Sequence, residues 1–301
     1  MSSSRVRKKQ FQNRAGRWLF RLARRYMEGK TALAAERAGE RLGRLFFRIS
    51  RKHRERALAN LALAFPEKSE AERKSLAKQV FEHFGRVTTD FLRSAKRNDQ
   101  EVVDSFEVEG IENFQEAYNR GKGVLLIIAH LGNWERAGQL MKAHGYDLHV
   151  VARDADDAEL NQDVLDLRES AGLTVLPRGN AAMQILRALK QGKCVALLPD
   201  QNSNECFVPF FGKPTGTVTG PAIMSLRSGA PLVPAATVRV GPGKYLARVY
   251  PPVEPAPGYD DPTIALTAGV NAAIEAMVRA FPEQYLWFHD RWKSARRRGL
   301  V

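Results

Sequence analysis

The chain has 301 residues, of which 44% are apolar, and a net charge of +14. This apolar content is enough to bury a full core, and it excludes a disordered or fibrous chain. The two cysteines, Cys194 and Cys206, lack the paired spacing of a zinc site and allow at most one crosslink, so we expect neither a structural metal nor a disulfide scaffold.

The positive charge is concentrated at the start of the chain. Residues 1–60 hold 18 Lys and Arg against four Asp and Glu, whereas residues 61–301 hold 29 of each. A basic segment of this kind suits an anionic lipid surface, a nucleic acid or an acidic protein, and charge alone does not choose among them.

The first residues have the pattern of an amphipathic helix. Within Phe11–Tyr26, one face of a helical wheel is apolar and the adjoining arc is basic. The apolar residues are Phe11, Ala15, Trp18, Leu19, Leu22 and Tyr26, and the basic ones are Arg14, Arg17, Arg21, Arg24 and Arg25. This pattern predicts a helix lying in the headgroup region of an anionic membrane; the alternatives are a surface helix docked on its own domain and a transit peptide.

A second basic stretch, Arg41–Arg56, carries apolar side chains on one side and is also typical of an amphipathic helix. We therefore predict a basic, membrane-associating helical region over residues 1–58 and an α/β domain over residues 59–301. No apolar run approaches the roughly 18–20 residues of a spanning helix, and arginines interrupt the apolar stretches near the N-terminus. We expect neither a membrane span nor a secretory signal peptide.

The pattern changes to alternating strands and helices from about residue 105. Ser69 followed by Glu72 indicates a helix start before this change, with apolar residues at helical spacing as far as Phe91. Strands are predicted at Val124–Ala129, Leu148–Ala152, Thr174–Leu176, Val195–Leu198 and Leu232–Val240, and helices near 134–143, 158–170, 181–190, 220–228 and 262–280. The fold class is α/β, with a mostly parallel central sheet covered by helices on both faces. Leu232–Val240 and Tyr245–Val253 predict an antiparallel hairpin at the sheet edge.

The segment from Val124 to Glu135 contains the best candidate for a catalytic site. A buried strand delivers His130 to its end, Gly132 and Asn133 allow a tight turn, and Glu135 begins the next helix. An imidazole at this place suits removal of a proton from a hydroxyl near neutral pH, and a carboxylate on its second nitrogen would orient it. The alternative is a purely structural histidine.

His130-Leu131-Gly132-Asn133-Trp134-Glu135 resembles the His-x4-Asp/Glu motif of the lysophospholipid acyltransferase superfamily. Specifically, it is similar to the bacterial branch of lipid A lauroyl and myristoyl acyltransferases and phosphatidylinositol mannoside acyltransferases. Further similar blocks follow in collinear order over residues 40–294: Asn60 to Glu67, Val151-Ala152-Arg153, Arg168 before Gly172, Asp200-Gln201-Asn202, Phe207 to Gly212, Thr219 to Ala222, Gly229-Ala230-Pro231, and Pro282 to Lys293.

The resemblance implies transfer of an acyl chain from acyl carrier protein or coenzyme A to a hydroxyl of a lipid A precursor or related glycolipid. His130 would be the general base and Glu135 its orienting carboxylate, with backbone N–H groups of the 130–134 turn as donors to the oxyanion. No cofactor or metal is implied, since the thioester is a co-substrate. The expected place is the cytoplasmic face of the bacterial inner membrane, with peripheral or monotopic attachment to an anionic surface, and no nucleic-acid partner. Alternatives are a glycerolipid lysophospholipid acyltransferase and a catalytically silent membrane-binding protein.

Five further residues are expected at the substrate site. Arg153 and Arg168 match charged positions of the resembling family and would bind a phosphate of the acceptor, unless they are ordinary exposed arginines. Asn133 is expected to bind substrate, and Asp200 either does so or caps the turn after its strand. Glu205 would assist the base, as in the mannoside-acylating branch.

The apolar segment from Phe207 to Gly212 has two interpretations. It either shapes the mouth of an acyl tunnel or packs in the core, and it contains no titratable side chain to react itself.

Overall fold

The computed structural model describes residues 3–151, 158–170, 172–176 and 180–301. The helical start of the chain comprises α1 (Ser3–Glu28), α2 (Ala32–Ile49), α3 (Arg51–Ala64) and α4 (Glu70–Phe91). The predicted capping box at α4 is present, with the Glu72 N–H donating to Ser69 Oγ at 3.3 Å and the Ser69 N–H donating to Glu72 Oε2 at 2.8 Å. The basic stretch predicted as one helix is instead divided at Ser50, which separates α2 from α3.

The exposed stripe of α1 is the one that the helical wheel predicted. Trp18, Leu19, Leu22 and Tyr26 are each about half exposed or more, because Phe20, Ala23 and Met27 make the contacts with α2 and α4. The helix therefore docks on the body through one face while its aromatic stripe faces outward. Among the described residues, no helix is both long and apolar enough to cross a bilayer.

α2 packs against α4 at backbone distance. A Cβ at Gly39, Gly43 or Gly85 would collide with the backbone of the facing helix, so only glycine permits this crossing. Glu36 ties α2 to the sheet, since its carboxylate accepts from Arg239 Nη2 at 2.6 Å and from the Gly243 N–H at 2.7 Å. The division into domains at residue 58 stays a prediction.

The central sheet has seven strands in the order β1-β9-β8-β2-β5-β3-β4, with β8 and β9 antiparallel and the other neighbours parallel. This confirms the predicted fold class. The strands are β1 (Phe106–Glu109), β2 (Val124–Ile127), β3 (Leu148–Val151), β4 (Thr174–Leu176), β5 (Cys194–Leu197), β8 (Leu232–Gly241) and β9 (Lys244–Val249). The β8–β9 hairpin is not at the edge as predicted, because β1 pairs with β9. The four-residue strand β1, which is half polar and mostly exposed, gave no strand signal.

The remaining elements cover the sheet or connect its strands. Helices α5 (Asp99–Val103), α6 (Ile111–Asn119), α7 (Trp134–Ala143), α8 (Ala158–Ser170), α9 (Ala181–Lys190), α10 (Gly220–Ser228), α11 (Pro262–Ala280) and α12 (Lys293–Arg297) surround it, and β6 (Cys206–Phe210) pairs antiparallel with β7 (Lys213–Thr217). Leu125 and Ile127 of β2 pack with α3, α4, α9 and α11, whereas Leu126 and Ile128 face α6 and α7. This alternation follows from the two-residue period of a strand, and it buries both faces.

The Phe207–Gly212 segment packs as core. Phe210 and Phe211 are buried and stack edge-on or tilted against Phe65, Trp287 and Trp292. None of the residues 207–212 lines the large cavity beside His130, so the expectation of a tunnel mouth here is corrected.

Candidate active site

His130 lies just beyond the carboxyl end of β2, on the same side of the sheet as Leu126 and Ile128. Asp200, just beyond the end of the neighbouring strand β5, binds it twice. Asp200 Oδ1 accepts from His130 Nδ1 at 2.8 Å, and Oδ2 accepts from the His130 backbone N–H at 2.9 Å. The parallel pairing of β2 with β5 therefore brings the two side chains together, as the carboxyl ends of neighbouring strands do in such sheets.

The buried carboxylate makes the imidazole more basic. Burial, the largest influence, favours the neutral ring, but the charge and hydrogen bond of Asp200 and then the charge of Glu135 outweigh it, so the pKa of His130 is raised above its usual value. Burial also opposes ionisation of Asp200, yet His130 and Arg291 hold the pKa of that carboxyl below its usual value. With Nδ1 donating to Asp200, Nε2 carries the free lone pair of the neutral ring.

Glu135 contacts Arg168 rather than the imidazole. Glu135 Oε1 accepts from Arg168 Nη2 at 2.6 Å, and both carboxylate oxygens lie 3.2 Å from Arg168 Nε. The prediction that Glu135 orients His130 by a hydrogen bond is therefore corrected, because the first turn of α7 directs the carboxylate toward α8. Its remaining link to His130 is electrostatic, through the raised pKa. Arg168 lies at the predicted site and lines the cavity.

The backbone of the turn between β2 and α7 is held by contacts with β8 and α4. Gly132 has φ +63°, and a Cβ there would collide with the Thr237 carbonyl oxygen, so the motif needs glycine at this position. The Asn133 N–H donates to Thr237 O at 2.7 Å, and Thr237 Oγ1 donates back to Asn133 O at 2.7 Å. His83 Nε2 lies 3.0 Å from Gly132 O, and burial lowers the pKa of His83 to about 4, so this neutral ring donates to the carbonyl.

Two of the predicted substrate-binding residues face away from the cavity. The Asn133 side chain is buried, and its Nδ2 donates to Asp90 Oδ2 at 2.9 Å, because the turn directs it under α4. Glu205 Oε2 accepts from the N–H and the Oγ1 of Thr219, both at 2.9 Å, and so caps the start of α10. Both assignments are corrected to structural roles. Arg153 lies outside the described residues.

Several residues at the site had no assigned role in the sequence. Gln201 Nε2 lies 3.4 Å from His130 Nε2, and Asn202 donates its backbone N–H to His289 Nε2 at 3.1 Å. Tyr285 stands beside Asp200; burial and the charge of Asp200 raise the pKa of its phenol well above the usual value. The only sequence signal for these residues was that they belong to the blocks similar to the family. Their contacts join positions 71 and 87 residues apart and leave no local pattern in the sequence.

Arg291 is fully buried and supports this group of residues through hydrogen bonds. Its guanidinium donates to Gly216 O at 2.6 Å, Gln201 O at 3.2 Å, Thr217 Oγ1 at 3.0 Å and Asn271 Oδ1 at 3.2 Å. A buried guanidinium needs these acceptors because a charge without hydrogen bonds is costly in the interior. The bond to the Gln201 carbonyl therefore fixes the loop after β5, and with it Asp200.

A cavity of about 1000 Å³ opens beside His130. Its floor is the α6/α7 face of the sheet, and a cluster of polar side chains lies at the His130 end. The floor includes Leu126, Ile128, Leu148, Val150, Ala196 and Leu198, and the polar end includes His130, Glu135, Arg168 and Gln201. At a strand rise of about 3.3 Å per residue, the distance along β2 from His130 to Leu126 is about 13 Å. Phe114 of α6 and Tyr146, which precedes β3, also line the cavity, and their ring centres lie 4.9 Å apart.

A histidine–carboxylate pair beside a large, mostly apolar cavity, at the carboxyl end of a parallel sheet, is the arrangement of an α/β enzyme with a largely apolar substrate. The chain belongs to the bacterial lipid A biosynthesis acyltransferase family, whose sequence model matches residues 9–294. It is therefore an enzyme that transfers acyl groups.

Named relatives agree with this membership. The chain is 29% identical over 250 residues to the lipid A biosynthesis palmitoleoyltransferase of Escherichia coli (strain K12), covering 79% of this chain and 78% of the relative. It is 28% identical over 250 residues to the lipid A biosynthesis lauroyltransferase of the same organism, with 78% and 77% covered. It is 26% identical over 220 residues to the phosphatidylinositol mannoside acyltransferase of Mycobacterium tuberculosis (strain CDC 1551 / Oshkosh), with 70% and 68% covered.

Proposed function

We propose that the protein transfers a fatty acyl chain from a thioester of acyl carrier protein or coenzyme A to a hydroxyl of a lipid A precursor or related glycolipid. It acts at the cytoplasmic face of the bacterial inner membrane. The observation that carries the proposal is the His130–Asp200 pair at the mouth of the apolar cavity, with the 2.8 Å contact leaving Nε2 free for an incoming hydroxyl.

In this mechanism Nε2 of His130 removes the proton of the acceptor hydroxyl as its oxygen attacks the thioester carbonyl. The C–O bond forms, the tetrahedral intermediate collapses, and the C–S bond breaks. The imidazolium then returns the proton to the leaving sulfur, so the ring ends neutral. Asp200 keeps Nδ1 protonated and stabilises the transient cation, while Gln201 gives up its long contact to Nε2 when the hydroxyl arrives.

The developing oxyanion needs donors close to His130. The backbone N–H groups of His130, Gly132 and Asn133 already bind Asp200, Gln284 and Thr237. In the described part of the chain, the N–H groups of Trp134 and Glu135 have no such partner and stand at the start of α7, where the helix dipole favours negative charge. We assign the oxyanion to these two groups.

The paired Glu135 and Arg168 are assigned to the acceptor. Arg168 is held by the carboxylate at the polar end of the cavity, and its guanidinium suits a phosphate of the acceptor. The acyl chain occupies the apolar part of the cavity, beyond His130.

The test is acyl transfer by the purified full-length protein, with acyl carrier protein and coenzyme A thioesters offered in parallel to lipid A precursors, glycolipids and lysophospholipids. His130→Ala should lose activity by at least about 10³-fold while keeping its fold. Activity retained by that variant, or transfer to lysophospholipid alone, would contradict the proposal. Mass spectrometry of lipids from cells lacking the protein identifies the acceptor as the species that is missing one acyl chain.

A further inference from the structure

A second, basic cavity lies between the end of α1 and the first half of α2. It has a volume of about 260 Å³ and is lined by Tyr26, Lys30, Ala34, Arg37, Ala38 and Arg41. Arg37 and Arg41 are one helical turn apart on the exposed side of α2, and the Lys30 ammonium lies 4.4 Å from the centre of the Tyr26 ring. This basic groove contains three cations and no acid.

Three arginines near the groove are each paired with an acid, whereas, among the described residues, the cations of the groove are not. Arg44 Nε lies 2.7 Å from Glu82, Arg86 Nη2 lies 2.7 Å from Glu40, and Arg24 Nε lies 2.8 Å from Glu28. In the described part of the chain, Lys30, Arg37 and Arg41 have no ion pair. Like charges one turn apart repel each other, so an anion in the groove would relieve a cost that the fold itself leaves in place.

Exposed apolar residues flank the basic groove on both helices. On α1, Trp18 and Leu22 precede Tyr26 at one-turn spacing, with exposed fractions of 68%, 48% and 58%. On α2, Leu42, Leu45 and Ile49 continue beyond Arg41 with exposed fractions of 53%, 51% and 68%. The apolar side chains suit the acyl layer of a bilayer, and the basic centre suits the layer of headgroup phosphates above it.

We propose that the basic groove binds the headgroup phosphate of an anionic phospholipid, while the flanking apolar side chains enter the acyl layer. This inference extends the proposed work at a membrane surface and names the contact that holds the protein there. The commitment to a bilayer follows from the aliphatic side chains of the flanks, because neither a free phosphate nor a nucleic-acid backbone would bury Leu45 and Ile49 beside its binding site.

The groove is connected to the catalytic side of the molecule. Arg21 on α1 binds Asp163 on α8 through Nε at 2.9 Å and Nη2 at 3.0 Å. The same helix, α8, carries Arg168, which pairs with Glu135 at the cavity mouth. α1 is therefore linked through α8 to the acceptor end of the cavity.

The test measures binding of the full-length protein to vesicles of phosphatidylcholine with and without phosphatidylglycerol. Arg37→Gln/Arg41→Gln should weaken binding to the phosphatidylglycerol vesicles by about 30-fold or more, since each basic residue near an anionic surface contributes about fivefold and a guanidinium that binds the phosphate directly contributes more. The matched control, Arg25→Gln/Arg48→Gln, removes the same charge from exposed positions outside the groove and should weaken binding at least several-fold less. Arg37→Lys/Arg41→Lys keeps the charge and should retain most of the binding.

Three results would overturn the groove assignment. One is an equal loss in the groove and control pairs, which indicates diffuse attraction only. Another is displacement from vesicles by inorganic phosphate at constant ionic strength, which indicates a free-phosphate site. The third is a groove variant that loses duplex DNA binding while keeping vesicle binding.

Acyl transfer measured on detergent-dispersed substrate separates this inference from the proposed function. The groove variant should keep that activity, since its residues lie outside the catalytic cavity. Vesicle binding with the expected contrast but without acyl transfer in the wild type would contradict the proposed function and leave the groove standing.

Discussion

Asp200 binds both the side chain and the backbone of His130, through Nδ1 at 2.8 Å and through the N–H at 2.9 Å. One carboxylate therefore fixes the tautomer of the ring and the position of the strand end that carries it. Substitution of Asp200 and of Glu135 distinguishes which acid controls the imidazole.

Asp200→Asn should lower kcat by about 10²- to 10⁴-fold, because an amide stabilises the imidazolium poorly and permits the wrong tautomer. The wild-type rate should rise with pH, as the neutral ring is the active form, with a midpoint above the usual histidine value because Asp200 raises the pKa of His130. In the variant, the residual activity should have its midpoint at lower pH, since the negative charge is gone. The check is a pH profile of kcat/KM; an unmoved midpoint would contradict the pairing.

Glu135→Gln should lower kcat/KM by at least about tenfold, because its neutral amide no longer fixes Arg168 by a charged pair. The midpoint of the pH profile should fall less than in Asp200→Asn, since Glu135 influences His130 through charge without a hydrogen bond. The measurement is the same profile, with acceptor KM determined separately. A larger shift for Glu135→Gln than for Asp200→Asn would reverse the two roles.

Ala196→Leu should change the preferred length of the acyl chain. Ala196 lies beside Leu126 in the sheet, and both line the cavity, so a larger side chain there removes space from the acyl path. We expect the longest accepted donor to lose about tenfold or more in kcat/KM while shorter donors are spared.

The matched control for the cavity is Val195→Leu, which enlarges the opposite face of the same strand. Donors of graded length are compared in both variants, and melting temperatures confirm folding. Equal losses for all donor lengths, or the same selectivity in Val195→Leu, would rule out this cavity as the acyl site.

His83 should make stability fall as the pH becomes acidic. Burial lowers its folded pKa to about 4, below the unfolded value near 6.5, so the unfolded chain takes up the proton first. The contribution of the neutral ring is complete above the unfolded pKa and is lost as the pH falls toward the folded one.

His83→Gln removes this titration while keeping an N–H donor for Gly132. The difference in unfolding free energy between wild type and variant should therefore shrink by about 2 kcal/mol between pH 7 and about pH 5. Urea unfolding at both pH values measures it, and contributions from other groups cancel in the difference. A difference independent of pH would show that folding does not lower the pKa of His83.

The sequence by itself determined most elements of the α/β region and singled out His130 as the candidate base. Strand β2 is apolar throughout and His130 follows it, so periodicity and position alone predicted a histidine at the carboxyl end of a parallel sheet. The apolar stripe of Trp18, Leu22 and Tyr26 was predicted in the same way, because helical periodicity is a local property.

Only the tertiary structure decided which groups meet. Asp200 and Glu135 both follow strand ends near His130, but the strand order, which places β5 beside β2, gives the hydrogen bond to Asp200 and leaves Glu135 to Arg168. The same holds for Asn133 and Glu205, whose partners Asp90 and Thr219 come from α4 and the start of α10. Periodicity reports which face of its own element a side chain occupies, whereas its partner depends on contacts between residues far apart in the chain.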